Sequence, residues 1–453
     1  MTVFQPREAQ LRGVAQACFQ AAVRAADPYE AVAKALTPTA KGLRVEGRDT
    51  TYRRVHVLAF GKAALRMAQA ACDTIEPSQR VDPVVVITNQ ENYQAFCREQ
   101  AGDAFVRAID VYQGGHPLPS ARGQKGAEVV LERARGARED ELVLVLISGG
   151  GSALAPLPPT GVTLADKIKT TELLLHSGAS IQQMNVVRKH LSAIKGGRLT
   201  QAASPAHVHA LILSDVIGDD LATIASGPTV VDASTYEDAW QVLKSFALLS
   251  KVPPTVQRYL QEGVAGKHRE SLKADDAAAS LVTTTLVGSN RLSVEAVHKE
   301  AHRQGFAANI WRFDACGEAR VLAEEMARMV KHEGKQKQAW LCGGETTVQV
   351  VGTGKGGRNQ ELAVAFAVSA RTHDVQGDWV FLSGGTDGRD GPTDAAGGCV
   401  HSGSYQRWID KTLKPEDVLA NNDCYSLLKE TGELVTIGAT GTNVADVQIF
   451  LRD

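Results

Sequence analysis

Short, unbroken apolar runs that stop at glycine constrain this chain more than any other feature. Residues 55–60 (VHVLAF) end at Gly61-Lys62. Residues 142–147 (LVLVLI) end at Ser148-Gly149-Gly150-Gly151-Ser152, and 210–214 (ALILS) end at Asp215. A run of five or six residues without polar alternation is a strand covered on both faces. Such strands belong to parallel sheets with helices above and below. Stretches at 83–88 (PVVVIT) and 105–112 read as further strands, and 63–75 (AALRMAQAACDTI) reads as the helix that follows the first.

The pattern restarts late in the chain. Residues 232–278 read as helices and connectors, with Pro253-Pro254 breaking one helical period and the polar stretch GKHRESLKADDA after it. A second alternation follows: strands at 281–287, 307–312, 339–342, 346–351, 379–383 and 447–451, and helices at 289–304, 318–333 and 359–370. The fold class is therefore α/β in two domains. Residues 1–275 form a Rossmann-like parallel sheet with helices on both faces, and 276–453 form a smaller α/β domain. No short-period repeat indicates a solenoid. The N-terminal segment reads as an amphipathic helix with Leu11, Val14, Ala15, Cys18 and Ala22 near one face. It lacks the basic and apolar regions of a secretory signal.

Charge and composition remove several classes of partner. Lysine and arginine total 49 against 51 acidic residues, a net charge of −2, so there is no basic field for nucleic acid or an anionic membrane. Aromatic residues at 5% make a poor stacking platform for bases. Seven cysteines, without a CxxC pair, read as reduced thiols of a cytoplasmic protein rather than a zinc site or disulfide framework.

Ligands of open α/β sheets bind beyond the carboxyl ends of strands, where the glycine clusters lie. In Ser148, Gly149, Gly150, Gly151 and Ser152, missing side chains let backbone N–H groups converge on an anion, and the following helix adds its N-terminal dipole. The plain alternative is a tight turn. Lys62 opens a helix, where a cation is unfavourable, so a bound phosphate or carboxylate would explain it better than a solvated surface lysine. Residues 352–361 (GTGKGGRNQE) set Gly356, Gly357, Lys355 and Arg358 before a helix, which suits a phosphoryl group because guanidinium donates two bonds at once. This is not a Walker A loop, and no GxGxxG dinucleotide fingerprint follows a strand. In 383–394 (SGGTDGRDGPTD), Asp387, Asp390 and Asp394 offer carboxylates to Mg²⁺, or else only Asx-type turns.

Two further stretches carry charge. NVVRKHLSAIKGGRL at 185–199 is a solvated basic face or, through Lys195 and Arg198, a clamp for a small carboxylate. Asp215 is the leading general-base or metal candidate, whereas Asp219 and Asp220 serve as helix caps. His116, alone in its loop, fits a structural role better than a catalytic one.

Together, GKAA at 61–64, GGHPLPS at 114–120, SGGGSAL at 148–154, NVVRKHLSAIKGGRL, SDVIGDDLATIASGPT, CGGETTV at 342–348, GGRNQE at 356–361, SGGTDGRDGPTDAAG and GTNVADV at 441–447 resemble the glycerate 2-kinase family over most of the chain. The C-terminal half of that family is called the MOFRL domain, and some members were formerly labelled hydroxypyruvate reductases. The resemblance implies ATP-dependent phosphorylation of D-glycerate to 2-phosphoglycerate with Mg²⁺ or another divalent cation, in a cleft between two α/β domains. It also implies catalytic roles for Lys62 and Arg358. Chemistry adds Asp215 as base, Asp215 and Asp387 as metal ligands, and Ser148–Ser152, Lys195, Gly356 and Gly357 as the ligand cradle. The expected partners are D-glycerate and ATP, the expected assembly a homodimer. The alternative enzyme is an NAD(P)H-dependent hydroxypyruvate reductase, which ought to carry the missing fingerprint.

Overall fold

A computed structural model describes residues 6–39, 42–50, 52–99, 105, 108–331 and 337–453. The chain divides into two compact units, residues 28–287 and residues 1–27 with 288–453. The expected boundary at 275/276 is therefore corrected on two counts. The strand that follows it completes the first sheet, and the N-terminal helix belongs with the C-terminal unit.

The unit 28–287 begins with an antiparallel meander, β1 (Leu36–Thr39), β2 (Gly42–Val45) and β3 (Arg48–Thr50). Its main sheet contains β4 (Arg54–Phe60), β5 (Val84–Asn89), β6 (Ile109–Gly114), β7 (Glu141–Ile147), β8 (His207–Leu213) and β9 (Val282–Gly288), in the order β6-β5-β4-β7-β8-β9. Every pair from β6 to β8 is parallel. The described strand β6 starts later than the 105–112 expected for it, and residues 106–107 lie outside the described residues. Helices cover β4 and β7 on both faces, so Leu58, Phe60, Val143, Val145 and Ile147 are all buried in one core. Each such side chain contributes about 1.5–3 kcal/mol, which makes the central strands the rigid frame on which the loops are mounted.

The strand order reverses between β4 and β7. The chain runs outward through β5 and β6, then returns to the other side of β4. This is a topological switch point, where a crevice opens at the carboxyl ends of the strands. Phe60 pairs with Ile147, so the turns after β4 and β7 leave the sheet side by side.

In the other unit a mixed sheet contains β10 (Ala307–Ala315), β11 (Gln338–Gly344), β12 (Trp379–Gly385), β13 (Gly397–His401), β14 (Leu434–Val435) and β15 (Asp446–Arg452). Its order is β10-β11-β15-β12-β13-β14; only β10 and β11 are parallel. The expected strand at 346–351 does not form. Both edges of β11 are taken by β10 and β15, and the returning chain makes only an isolated bridge from Thr347 to Glu318. The helix Pro6–Ala25 buries Leu11, Ala15, Cys18, Phe19 and Ala22 against Val294, Val380 and Ile449, which explains its place in this unit. The helix Arg358–Thr372 lies on the opposite core, where Phe366 stacks on Phe381 with centroids 4.1 Å apart.

No helix among the described residues is long and apolar enough to cross a membrane. All seven cysteines are free thiols.

Candidate active site

The turns after β4 and β7 are locked together through their backbones. Lys62 N–H donates to the Gly149 carbonyl at 2.9 Å, Ser148 N–H to the Phe60 carbonyl at 3.1 Å, and Ala63 N–H to Ser148 Oγ at 3.0 Å. The contact is so close that a Cβ at Gly61 would sit 2.2 Å from Ser148 Oγ. Gly61 also has φ +132°, a conformation that side chains rarely adopt. These restraints fix the Lys62 backbone, and the Lys62 carbonyl accepts from Asn92 Nδ2 at 2.7 Å.

Asp215, Lys62 and His116 converge on the glycine loop. A Cβ at Gly149 would lie 2.1 Å from Asp215 Oδ2. One at Gly150 would lie 3.1 Å from His116 Cδ2 and 3.3 Å from Lys62 Cε. Burial pushes the Asp215 carboxyl above its usual range, opposed in part by the charge of Lys62. His116 is held below its usual value by desolvation and then by Lys62. The isolated histidine is thus brought beside the candidate lysine; its place at the carboxyl end of β6 was the available sequence signal.

The loop fits an anion in one respect and corrects the sequence reading in another. Among the described residues nothing accepts from the N–H groups of Gly149, Gly150 or Gly151. The helix that follows, Gly151–Leu154, is a single turn, so the donors are the loop amides rather than a helix macrodipole.

Lys195 and Arg198 do not form a clamp. Lys195 Nζ is buried and donates to Ser152 Oγ and the Ala225 carbonyl, each at 3.1 Å. Arg198 turns away and donates to the Ser192 carbonyl and the Tyr236 hydroxyl. Asp220 caps its local turn through Ala222 N–H and Thr223 Oγ1.

In the unit containing Arg358 the chemistry again gathers at strand ends. Asp446, which opens β15, lies opposite Gly344 at the end of β11 and Gly385 at the end of β12. Arg358 donates to Asp446 through Nε (2.5 Å) and Nη2 (3.0 Å), and its Nη1 lies 2.8 Å from Glu345. Asp446 and Glu345 were not singled out from the sequence, though Glu345 directly follows the strand-end Gly344 and Asp446 opens β15. Burial opposes the charge of Arg358, but these two carboxylates outweigh it and keep the guanidinium protonated.

The loop before Arg358 is mostly spoken for. Val351 and Gly352 N–H donate to Asn422 Oδ1, Thr353 N–H to Asn421 Oδ1, Gly354 N–H to the Asn421 carbonyl and Lys355 N–H to Asp423 Oδ1. Only Gly356 and Gly357 retain N–H groups without an acceptor among the described residues. Lys355 Nζ instead lies over the Tyr425 ring at 4.4 Å.

The three aspartates after β12 separate into different tasks. Asp390 is buried and caps the helix Arg358–Thr372, accepting from Asn359 and Gln360 N–H at 3.1 and 2.8 Å. Burial nevertheless raises its carboxyl to about 7. Asp394 accepts from the Tyr425 hydroxyl. Asp387 takes one N–H from Arg389 and leaves its other oxygen unbonded among the described residues; burial chiefly, and then Asp446, raises its carboxyl. No group of three or more metal-binding side chains gathers among the described residues. The unbonded oxygen of Asp387 is a donor atom that would suit a Mg²⁺ held mainly by phosphates and water with one or two carboxylates.

Comparison with known proteins shows what the chain as a whole is similar to. Residues 14–261 match a domain of unknown function, DUF4147, and residues 338–446 match the MOFRL family. The glycerate 2-kinase of Pyrococcus horikoshii is 38% identical over 100% of this chain and 98% of its own length. The D-glycerate 2-kinase of Thermotoga maritima is 40% identical over 88% and 90%. A relative from Agrobacterium vitis, 36% identical over 97% and 94%, bears the name putative hydroxypyruvate reductase. The crystal structure of the Thermotoga maritima glycerate kinase superimposes with a TM-score of 0.84 at 36% identity, covering 98% of this chain and 100% of that one. A Pyrococcus horikoshii crystal structure gives 0.86 at 37%, covering 100% and 99%. Similarity of this extent, end to end in both sequence and fold, makes the chain a member of the glycerate kinase family.

Proposed function

We propose that this protein transfers the γ-phosphoryl group of ATP to the 2-hydroxyl of D-glycerate, giving 2-phosphoglycerate. The observation that carries the reading is the convergence of Lys62 and Asp215 on the unbonded amides of Gly149–Gly151 at the switch point of the parallel sheet. Phosphoryl transfer asks a protein mainly to position reactants and neutralise charge. The Gly149–Gly151 amides hold phosphate oxygens, and Lys62 offsets charge on the group in flight. Asp215 accepts the proton of the attacking hydroxyl; a carboxyl raised by burial is a stronger base than an exposed one.

Arg358 contributes from a braced position. Its Nε, one Nη2 hydrogen and one Nη1 hydrogen are engaged by Asp446 and Glu345, leaving one hydrogen on each Nη for phosphoryl oxygens. Gly356 and Gly357 add two amides. Asp387 or Asp215, together with phosphate oxygens, would hold Mg²⁺, which would supply further charge neutralisation. The reductase reading has only a relative's name in its favour, since the turn after β4 is Gly-Lys-Ala-Ala and not a dinucleotide fingerprint.

The test is a coupled assay with Mg·ATP and D-glycerate, followed by enolase without a mutase. Consumption of the product by enolase is the expected result. NADH oxidation with hydroxypyruvate and no glycerate-stimulated loss of ATP would defeat the reading.

A further inference from the structure

The basic residues of 185–199 meet different fates. Lys189 Nζ pairs with Asp232 at 3.2 Å in a buried ion pair, and His190 Nε2 lies 3.1 Å from Glu270. Arg188 and Lys195 have no carboxylate partner among the described residues, nor does Lys167 beside them. Lys167 Nζ is spent on the Arg188 and Leu191 carbonyls at the end of the helix Ile181–His190. Burial first, and then mutual repulsion among the cations, depresses Lys167 to about 7 and Lys195 well below its usual value; burial alone lowers Arg188.

A hydrogen-bonded chain links the last two. Lys195 Nζ reaches Ser152 Oγ, which lies 2.7 Å from Ser226 Oγ; Ser226 Oγ donates to Asn185 Oδ1 at 3.2 Å. Among the described residues Arg188 makes one hydrogen bond, 3.5 Å to Asn185 Oδ1. Asn185 is 4% exposed and its Nδ2 has no acceptor among the described residues. Ala225 and Ser226, which present the carbonyl and hydroxyl of this chain, both have positive φ (50° and 60°), strain of about 1–3 kcal/mol each. Arg188 is partly buried, and a partly desolvated guanidinium without a carboxylate partner is costly, so the fold retains donors on Arg188 and Asn185 that nothing among the described residues uses.

We propose that Arg188, with Asn185 Nδ2, binds the carboxylate of the glycerate. The assignment rests on the glycerate kinase reading and names the residue that selects an acid. The cluster is small and largely buried, which suits a monovalent carboxylate better than a triphosphate chain, and guanidinium pairs with carboxylate through two parallel bonds. Its position also fits. Ser152 is two residues from Gly150, a span of at most about 7 Å, and in a 2-hydroxy acid the reacting oxygen is one carbon from the carboxylate.

The experiment compares D-glycerate with its uncharged amide in wild type, Arg188→Gln and Arg188→Lys, with folding monitored by thermal melting. Wild type is expected to prefer the acid on the order of 100-fold in kcat/KM. Arg188→Gln should reduce that preference to a few-fold by raising KM for glycerate while leaving KM for ATP within about two-fold. Arg188→Lys should fall between. A preference unchanged in a folded Arg188→Gln, or a rise in KM for ATP instead, overturns the role of Arg188 alone. Absence of glycerate phosphorylation by wild type overturns the functional reading beneath it.

Discussion

Arg358 and Asp446 form a two-point ion pair in which the carboxylate is fully buried and the guanidinium only partly so. The asymmetry sets what each substitution does. Removing Arg358 strands a buried carboxylate, at a cost of about 3–5 kcal/mol, and under the proposed mechanism also removes a donor to the phosphoryl group, at about 10²–10³ in kcat. Arg358→Ala alone therefore confounds stability with catalysis. Arg358→Lys keeps a charge for Asp446 but loses the fork. It should recover most of the melting temperature while kcat stays low. Near-normal turnover in a folded Arg358→Ala protein would remove Arg358 from the mechanism.

Lys62 offers the opposite case. Its ammonium makes no hydrogen bond among the described residues, so Lys62→Ala should leave stability within about 1 kcal/mol of wild type. The same change should lower kcat by about 10²–10³. It should also alter the pH profile. Lys62 opposes the burial that raises Asp215, so its loss lets the Asp215 carboxyl rise further. The acid limb of residual kcat/KM should shift to higher pH. An acid limb that stays in place would show that Asp215 is not the base.

The strand ends that carry this chemistry were legible because an apolar run stopping at glycine has one structural meaning. Gly61-Lys62 and Ser148–Ser152 came out where the pattern put them. Partner choice was not legible. The run at 281–287 reads as a strand whichever sheet it joins, and only tertiary pairing places β9 in the first. The helix Pro6–Ala25 shows its apolar face in sequence, but its partners Val380 and Ile449 lie hundreds of residues away. Arg198 misled for a local reason. Gly196 and Gly197 both have positive φ, so the chain breaks there and restarts on another face, separating Arg198 from Lys195. Arg188 was visible as a charge but not as an unpaired one, since pairing depends on Asp232 and Glu270 far along the chain.

Asp390 predicts a pH-dependent stability. Its carboxyl stands at about 7 in the folded protein against 3.8 unperturbed, so the folded state binds the proton more tightly. For such a group the stabilisation is complete below about 3.8 and is lost as pH rises through about 7. Asp390→Asn cannot titrate and should not show this loss. The stability of wild type relative to Asp390→Asn should fall between pH 5 and 7 by on the order of 2 kcal/mol, measured by urea unfolding at each pH. A difference that is flat with pH would mean that the two helix N–H bonds keep Asp390 ionised throughout.

Gly61 and Gly178 both have positive φ but predict different outcomes. Gly178 follows the helix Leu164–His176 with φ +77° and open space where a Cβ would go. Gly178→Ala therefore meets only backbone strain, roughly 1 kcal/mol, with kcat unchanged. At Gly61 the new Cβ would lie 2.2 Å from Ser148 Oγ and 2.5 Å from the Ser148 carbonyl oxygen. Backbone cannot yield as a flexible side chain can, so the turns after β4 and β7 must separate. That breaks the bonds from Lys62 N–H to Gly149 and from Ala63 N–H to Ser148, and it moves Lys62 away from the loop amides. Gly61→Ala should lose about 3 kcal/mol or more and nearly all activity. Thermal melts and kcat measured on both variants decide the matter, and a Gly61→Ala protein that melts and turns over like Gly178→Ala would show that the two turns need not touch for catalysis.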